Sequence, residues 1–166
     1  LCRQGPGEPV VFMAVEIERK FLPAGDGWRG LAAGTHYVQG YLAADRACTV
    51  RVRLAGASAF LTVKGHGDAL ARPEFEYPIP ATAQLLDLCP LPLVEKTRFR
   101  IPLNGLVWEV DEFAGNNSGL VLIEVELASP DQPLEKPDWV GEEVSTDPRY
   151  SNAMLARHPY RTWAGS

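Results

Sequence analysis

Residues 95–111 read Glu-Lys-Thr-Arg-Phe-Arg-Ile-Pro-Leu-Asn-Gly-Leu-Val-Trp-Glu-Val-Asp, and they carry the clearest structural signal in the chain. Charged and apolar residues alternate on both sides of the central Asn-Gly pair, which is the period of a β-strand. Asn-Gly is the strongest two-residue signal for a β-hairpin, because both residues accept the positive φ of a type I′ turn. Since opposed residues point to the same side of a sheet, we predict two charge pairs on one face, Arg100 with Glu109 and Arg98 with Asp111.

The same alternation recurs along most of the chain and predicts a mainly β protein. Short helices are expected over residues 83–88, 138–144 and 152–157, the last capped by Ser151. Eight strands are predicted, at 14–21, 36–43, 48–54, 59–64, 73–79, 93–103, 106–113 and 120–127. A type II′ turn at Gly56-Ala57 predicts a second register, which pairs Arg53 with Phe60, Arg51 with Thr62 and Thr49 with Lys64.

Charged side chains collect on one face of this predicted sheet. An eight-stranded sheet can close on itself and so remove its edges. Closure with the charges inward gives a polar tunnel, whose apolar outer face would pack on the short helices and on a second copy of the chain. Closure the other way gives an apolar core and a charged coat, and composition does not choose between the two. The charges themselves come in pairs two residues apart, at Arg51/Arg53, Arg98/Arg100, Glu16/Glu18, Glu74/Glu76 and Glu124/Glu126.

This pairing favours the tunnel. A guanidinium group is a planar fork that matches phosphate oxygens. Two carboxylates two residues apart on a strand point the same way and can share a hard cation. Basic pairs and acidic pairs on one face are therefore what a complex of metal and polyphosphate requires.

Composition argues against several other classes of protein. The 166 residues carry a net charge of −5, which fits one domain and is unusual for a nucleic-acid binder. No apolar run approaches the roughly eighteen residues of a membrane-spanning helix, so we expect no membrane partner. The three cysteines lack CxxC spacing, which argues against a disulfide framework or a zinc site and favours the cytoplasm. Because the chain starts at Leu1 and Met13 directly precedes the first strand, we expect one domain over residues 13–160. Residues 1–12 would then lie upstream or come from the expression vector.

The ordered motifs resemble those of the CYTH superfamily, the triphosphate tunnel metalloenzymes, and of its small bacterial members in particular. Glu16-Ile17-Glu18-Arg19-Lys20 matches the Glu-x-Glu-x-Lys signature of that family, and residues 49–53 match its Thr-x-Arg-x-Arg strand. The resemblance runs from Met13 to Tyr160 and continues through 61–64, 74–76, 95–100, 108–111, 123–127 and 147–152. It implies a closed eight-stranded antiparallel barrel, often dimeric, that needs Mg²⁺ or Mn²⁺.

The type of charge gives each side chain an expected role. The bases expected to bind phosphate oxygens are Lys20, Arg51, Arg53, Lys96, Arg98 and Arg100. The acids expected to bind metal are Glu16, Glu18, Glu124 and Glu126. Lys64 and Glu76 are the candidate catalytic residues, Lys64 to stabilise the transition state or assist proton transfer and Glu76 to join a second metal. Glu109 and Asp111 are expected to orient Arg100 and Arg98. By resemblance, one ion would orient the triphosphate and a second would activate water.

The resemblance also implies a substrate that contains a triphosphate. Inorganic tripolyphosphate is favoured, because the chain is compact and shows no feature that identifies an adenine pocket. A class IV-type adenylate cyclase and a thiamine or nucleoside triphosphatase are alternative enzymes. A polyphosphate or nucleotide sensor without turnover and a charge-coated structural barrel are alternatives of other classes. Complete acid pairs argue against the sensor, because acids near an anion help binding only when a metal is present.

Overall fold

The structure is a computed structural model that describes residues 14–45, 48–65, 72–80 and 83–163, so the predicted segment 1–12 lies outside the described residues. As predicted, the described chain is mainly antiparallel β-sheet, with short helices. Its strands are β1 (Ala14–Glu16), β2 (Glu18–Pro23), β3 (Gly34–Ala44), β4 (Thr49–Ala55), β5 (Ser58–Lys64), β6 (Arg72–Ile79), β7 (Val94–Leu103), β8 (Leu106–Phe113), β9 (Val121–Glu126) and β10 (Val140–Glu143). The helix α1 covers Asn152–Arg157, and 3₁₀ helices cover Ala83–Leu88, Gly115–Asn117, Pro148–Tyr150 and Tyr160–Thr162.

All ten strands form one sheet in the order β1-β6-β5-β4-β3-β7-β8-β9-β2-β10. The predicted strand 14–21 is two strands, because the chain changes partner at Ile17. Its first part pairs with β6 and its second part with β9. These two ladders lie far apart in the strand order, yet one residue joins them. The sheet therefore curls into a barrel, because the covalent chain joins β1 at one end of the strand order to β2 near the other end. The edge strands β1 and β10 are not hydrogen-bonded to each other.

Both predicted hairpin registers are confirmed. Asn104 and Gly105 have φ values of 50° and 75°, as a type I′ turn requires, and the turn pairs Arg100 with Glu109 and Arg98 with Asp111. Gly56 has a φ of 56° and begins the turn that pairs Arg53 with Phe60, Arg51 with Thr62 and Thr49 with Lys64. These turns place the bases of β4 and β7 on the same side of the sheet as the acids of β6, β8 and β9.

The predicted helix over 138–144 is wrong, because that segment contains β10. Strand β10 pairs antiparallel with β2, on the side of β2 that faces away from β9. It covers an edge that would otherwise expose unpaired backbone groups, and this tertiary demand outweighs the local pattern. The other two predicted helices are present, and the Ser151 Oγ accepts a hydrogen bond of 3.3 Å from the backbone N–H of Met154 as the N-cap of α1.

The apolar side of the sheet faces outward and is buried by loops as much as by helices. One cluster packs Trp28 and Trp139 from two loops against Phe21, Trp108 and their neighbours on β2, β7, β8 and β9. A second cluster lies on the inner face instead, where Leu155 of α1 packs against Tyr41, Val94, Phe113 and Leu122 and fills one end of the barrel. The charged side of the sheet is consequently left facing the interior. No helix among the described residues is long and apolar enough to cross a membrane.

Candidate active site

A cavity of about 960 Å³ runs inside the barrel, and its walls are charged. Every predicted site residue with a described side chain lines it. The side chain of Glu16 lies outside the described residues, although β1 places its backbone opposite Arg72. The predicted residues on the wall are Glu18, Lys20, Arg51, Arg53, Lys64, Glu76, Lys96, Arg98, Arg100, Glu124 and Glu126, joined by Glu74 and Glu109.

Arg98 lies in a cage of carboxylates on the wall formed by β7, β8 and β9. Asp111, directly opposite on β8, accepts hydrogen bonds of 2.6 Å from both Nε and Nη2 of Arg98. Glu124 on β9 accepts another from Nη2 at 2.7 Å, and Glu109 accepts one from Nη1. Burial alone would lower the pKa of Arg98, but these acids raise it well above its usual value. Each nitrogen of this guanidinium therefore donates to a carboxylate, and Arg98 links β7 to both β8 and β9 through side-chain hydrogen bonds.

Lys96 is the most buried base of the cavity, with 2% of its surface exposed. Its ammonium group donates to Asp111 and, at 3.2 Å, to Asn152 of α1. Burial and the nearby charge of Arg98 lower the pKa of Lys96 to about 8, although Asp111 and Glu124 oppose the shift. This ammonium group loses its charge far more easily than an ordinary lysine does.

Glu124 is the buried acid at the meeting point of β2, β8 and β9, and it is 3% exposed. Lys20 lies directly opposite on β2 and donates to Glu124 at 2.6 Å as well as to Glu18. Burial would raise the pKa of Glu124, but Lys20, Arg98 and Lys96 together hold it well below the usual value. The carboxylate therefore remains ionised, which is the state that a metal ligand needs.

The opposite wall, formed by β4, β5 and β6, holds its bases more loosely. Arg53 Nη2 donates to both oxygens of Glu76 at 3.1 and 2.9 Å. Thr62 connects this pair to the next base, because its hydroxyl accepts from Arg51 at 3.1 Å and donates to Glu76 at 2.9 Å. Lys64 lies 3.0 Å from Glu74 on β6.

Two N–H groups of this second wall stand out. The Nε atoms of Arg51 and Arg53 are buried and have no hydrogen-bond partner among the described residues. A buried donor without a partner is costly, by about 1–3 kcal/mol, and calls for an explanation. Burial and the charge of Arg51 also lower the pKa of Arg53. An anion with several oxygens would bring hydrogen-bond acceptors and negative charge to this wall.

The acids fit a divalent cation by chemistry and by register. Glu18 is directly opposite Glu126, and Glu109 is directly opposite Glu124. Like charges in opposed positions destabilise a sheet unless a cation lies between them, and carboxylate oxygens are the ligands that Mg²⁺ and Mn²⁺ prefer. Within the part of the chain that the structure describes, no three acids, histidines or cysteines converge into a ready-made metal group. The ammonium group of Lys20 lies between Glu18 and Glu124 instead.

Several polar residues of the site were not predicted from sequence. Asn152 reaches Lys96 from α1, and a helix that returns to the end of a barrel leaves no periodic signal in the strands. Gln39 is fully buried on β3 opposite Arg53, yet it carries no charge to mark it. The predicted register of Thr62 opposite Arg51 is confirmed. Because Thr62 shares the inward face with Lys64, its link between Arg51 and Glu76 could have been anticipated from the alternation. Arg19, on the other face, forms an ion pair with Glu143 of β10.

The chain is similar to known proteins over most of its length. The sequence profile of the CYTH domain family matches residues 14–160. An inorganic triphosphatase of Acetivibrio thermocellus is 45% identical over 154 residues, which are 91% of this chain and 99% of that protein. An inorganic triphosphatase of Nitrosomonas europaea is 42% identical over 156 residues, which are 85% of this chain and 96% of that protein. The solved structure of an inorganic triphosphatase with 39% identity has a TM-score of 0.64 and covers 87% of this chain and 95% of its own.

Proposed function

Because the chain belongs to the CYTH domain family, we propose that it hydrolyses inorganic triphosphate to pyrophosphate and phosphate with Mg²⁺ or Mn²⁺. One observation carries the proposal: the cavity inside the barrel holds basic groups with buried, unpartnered N–H donors and, on neighbouring strands, directly opposed carboxylates. The described chain thus offers both halves of a site for a metal–triphosphate complex. Two relatives that are named for this activity match nearly their full length, which supports the same substrate.

Arg51 and Arg53 are proposed to bind the triphosphate first. The unpartnered Nε of Arg51 can donate to a phosphate oxygen without breaking a bond, and Arg53 can turn its Nη groups from the single carboxylate of Glu76 to phosphate. Arg98 would have to give up several carboxylate partners. Lys20, Lys96 and Arg100 add positive charge along the other wall. Arg100, at 64% side-chain exposure and paired with Glu109, lies towards solvent and is proposed to meet the substrate as it enters. Phosphoryl transfer needs mainly such positioning and charge stabilisation.

Glu16, Glu18, Glu124 and Glu126 are proposed as the metal ligands. When bound, a divalent cation supplies charge neutralisation on the phosphate oxygens and helps to generate the attacking water. Lys20 now lies between Glu18 and Glu124, so its ammonium group would move from these carboxylates to a phosphate oxygen when the complex enters. The lysine would therefore hold the acids together in the free protein and hold the substrate in the complex.

Lys64 and Glu76 are proposed to act on the reacting atoms from the opposite wall. Glu76 accepts from Arg53 and Thr62 in the free protein. Once a phosphate group engages Arg53, the Glu76 carboxylate is released and can accept a proton from the attacking water. The new bond forms between water oxygen and a terminal phosphorus, and the bond from that phosphorus to the bridging oxygen breaks. Lys64 stabilises the negative charge that the departing pyrophosphate gains.

The test is phosphate release from tripolyphosphate, ATP and thiamine triphosphate, with Mg²⁺, with Mn²⁺ and with EDTA. We expect cation-dependent release that is fastest for tripolyphosphate. Glu124→Gln should lower kcat at least 100-fold, because the central carboxylate of the proposed metal site loses its charge. Glu142→Gln is the matched control, since Glu142 is exposed on β10 and should leave kcat within twofold.

Each alternative has its own outcome in this assay. Pyrophosphate and cyclic AMP from ATP would replace the hydrolase by a cyclase. Tight binding of tripolyphosphate without turnover in either cation would leave a sensor. Equal rates for Glu124→Gln and the wild type would show that catalysis does not use this cavity.

A further inference from the structure

Strand β3 presents an uncharged strip to the interior between two basic strands. Tyr37, Gln39 and Tyr41 point inward, since they are opposite Lys96 on β7 or the arginines on β4. The ring centre of Tyr37 lies 5.5 Å from the guanidinium carbon of Arg53 and 5.6 Å from that of Arg98, within the range of a cation–π contact. The strip therefore lies against the arginines of both walls without neutralising them.

Gln39 and Arg53 form a directly opposed pair with complementary unused atoms. The Oε1 atom of Gln39, an acceptor, is buried without a hydrogen-bond partner in the described ranges, and so is the Nε–H of Arg53, a donor. The amide nitrogen of Gln39 is already used, because it donates to the Tyr41 hydroxyl at 3.2 Å. Opposed residues have Cβ atoms about 4.5–5.5 Å apart, which places the two side chains within reach of each other.

Glu76 explains why they are apart in the free protein. It holds Arg53 through Nη2 at 2.9 and 3.1 Å, and so fixes the guanidinium towards β6. A phosphate that replaces Glu76 frees the group to turn. Hydrogen bonds at catalytic sites commonly align only once the ligand is bound.

We propose that Gln39 is a positioning residue, whose Oε1 accepts a hydrogen bond from Arg53 Nε when triphosphate occupies the cavity. This inference rests on the proposed function, because it assumes that triphosphate replaces Glu76 as the partner of Arg53. The neutral amide orients the guanidinium while leaving its full charge for the phosphate. A carboxylate at the same place would hold Arg53 more tightly but would repel the substrate.

The test compares Gln39→Met with Tyr41→Phe. Both variants lose the hydrogen bond between Gln39 and Tyr41, but only Gln39→Met loses the acceptor for Arg53. We expect KM for tripolyphosphate to rise about tenfold in Gln39→Met, which corresponds to about 1.4 kcal/mol, with kcat within threefold of the wild type. Tyr41→Phe should leave KM within twofold. Thermal melts without substrate should give the two variants similar midpoints, since Oε1 makes no bond to the described residues in the free protein.

A double-mutant cycle with Arg53→Lys identifies the partner. Lysine has no N–H at the Nε position, so Gln39→Met should add little to the KM of Arg53→Lys. Gln39→Glu is a second variant of nearly the same shape, and it should weaken tripolyphosphate binding in EDTA at least tenfold by calorimetry. Equal KM values for Gln39→Met and Tyr41→Phe, a full effect in the Arg53→Lys background, or wild-type affinity of Gln39→Glu would each overturn the inference. Absence of tripolyphosphate hydrolysis by the wild type would instead sink the proposed function.

Discussion

Replacement of Asp111 by Asn tests how the inner wall of the barrel is held together. Asp111 is fully buried and accepts three charge-assisted hydrogen bonds. Two come from Arg98 at 2.6 Å each, and one comes from Lys96 at 2.5 Å. The amide of Asn keeps the shape of the side chain and one acceptor oxygen, but it removes the negative charge and places an NH₂ group against a cation.

The expected loss of stability follows from these contacts. Breaking one side of a buried, hydrogen-bonded ion pair costs about 3–5 kcal/mol, because the partner charge stays buried without compensation. Arg98 retains Glu124 and Glu109, whereas Lys96 retains Asn152, a neutral partner, so we place the loss within that range. For a chain of this size, about 1 kcal/mol shifts the melting midpoint by roughly 2–4 °C, so Tm should fall by about 6–20 °C.

Urea denaturation followed by circular dichroism measures the free energy of unfolding of Asp111→Asn and of the wild type. Glu109→Gln is the matched control on the same strand. Its side chain is 24% exposed and it contacts the same Arg98, so its removal should cost only about 1 kcal/mol. A loss of less than about 1 kcal/mol for Asp111→Asn, or a loss no larger than that of Glu109→Gln, would show that Asp111 does not hold this wall together.

Two further predictions concern pH and packing. Because the pKa of Lys96 is about 8, its ammonium charge is present below that pH and lost above it. A plot of kcat/KM for tripolyphosphate against pH should therefore fall on the alkaline side near pH 8, and Lys96→Arg should move the fall upward; an unmoved fall would assign it to another group. At Gly40, an added Cβ would lie 2.5 Å from the Sγ of Cys89 and 2.7 Å from Leu93. Gly40→Ala should cost about 1–3 kcal/mol in urea denaturation, and the Gly40→Ala, Cys89→Ala double variant should recover part of that loss, because the close approach to Leu93 remains. Gly25→Ala, where the site is open, should lose almost nothing. An equal loss in the double variant would show that another contact causes the strain.

The fold was predictable from sequence where local chemistry decides the register. The Asn-Gly turn at 104–105 and Gly56 fix two hairpins, and alternation then fixes which residues point inward. The break at Ile17 was not predictable, because the pattern of alternation continues unchanged through it while the partner strand changes. Strand β10 was missed for a related reason. Its pairing is imposed by the open edge of β2, more than a hundred residues earlier in the chain.

The candidate site was predictable as a set of charges but not as a set of contacts. Because period-two alternation places Arg51, Arg53 and Glu124 on one face, barrel closure is enough to bring them into one cavity. Alternation cannot show that carboxylates fill every donor of Arg98 while the Nε groups of Arg51 and Arg53 stay without a partner, since this depends on which strands lie one or two positions away in the sheet. Alternation also cannot identify Gln39 as a site residue, because its proposed role depends on the Oε1 atom, which has no hydrogen-bond partner among the described residues.

The most direct test of the central claim is a crystal of the protein with Mn²⁺ and a non-hydrolysable imidotriphosphate, with the metal located by its anomalous scattering. We expect a manganese peak inside the barrel beside the carboxylates of Glu18, Glu124 and Glu126, with triphosphate oxygens against Arg51 and Arg53. Manganese and ligand bound outside the barrel, with the interior carboxylates still paired to Lys20 and Arg98, would contradict this expectation.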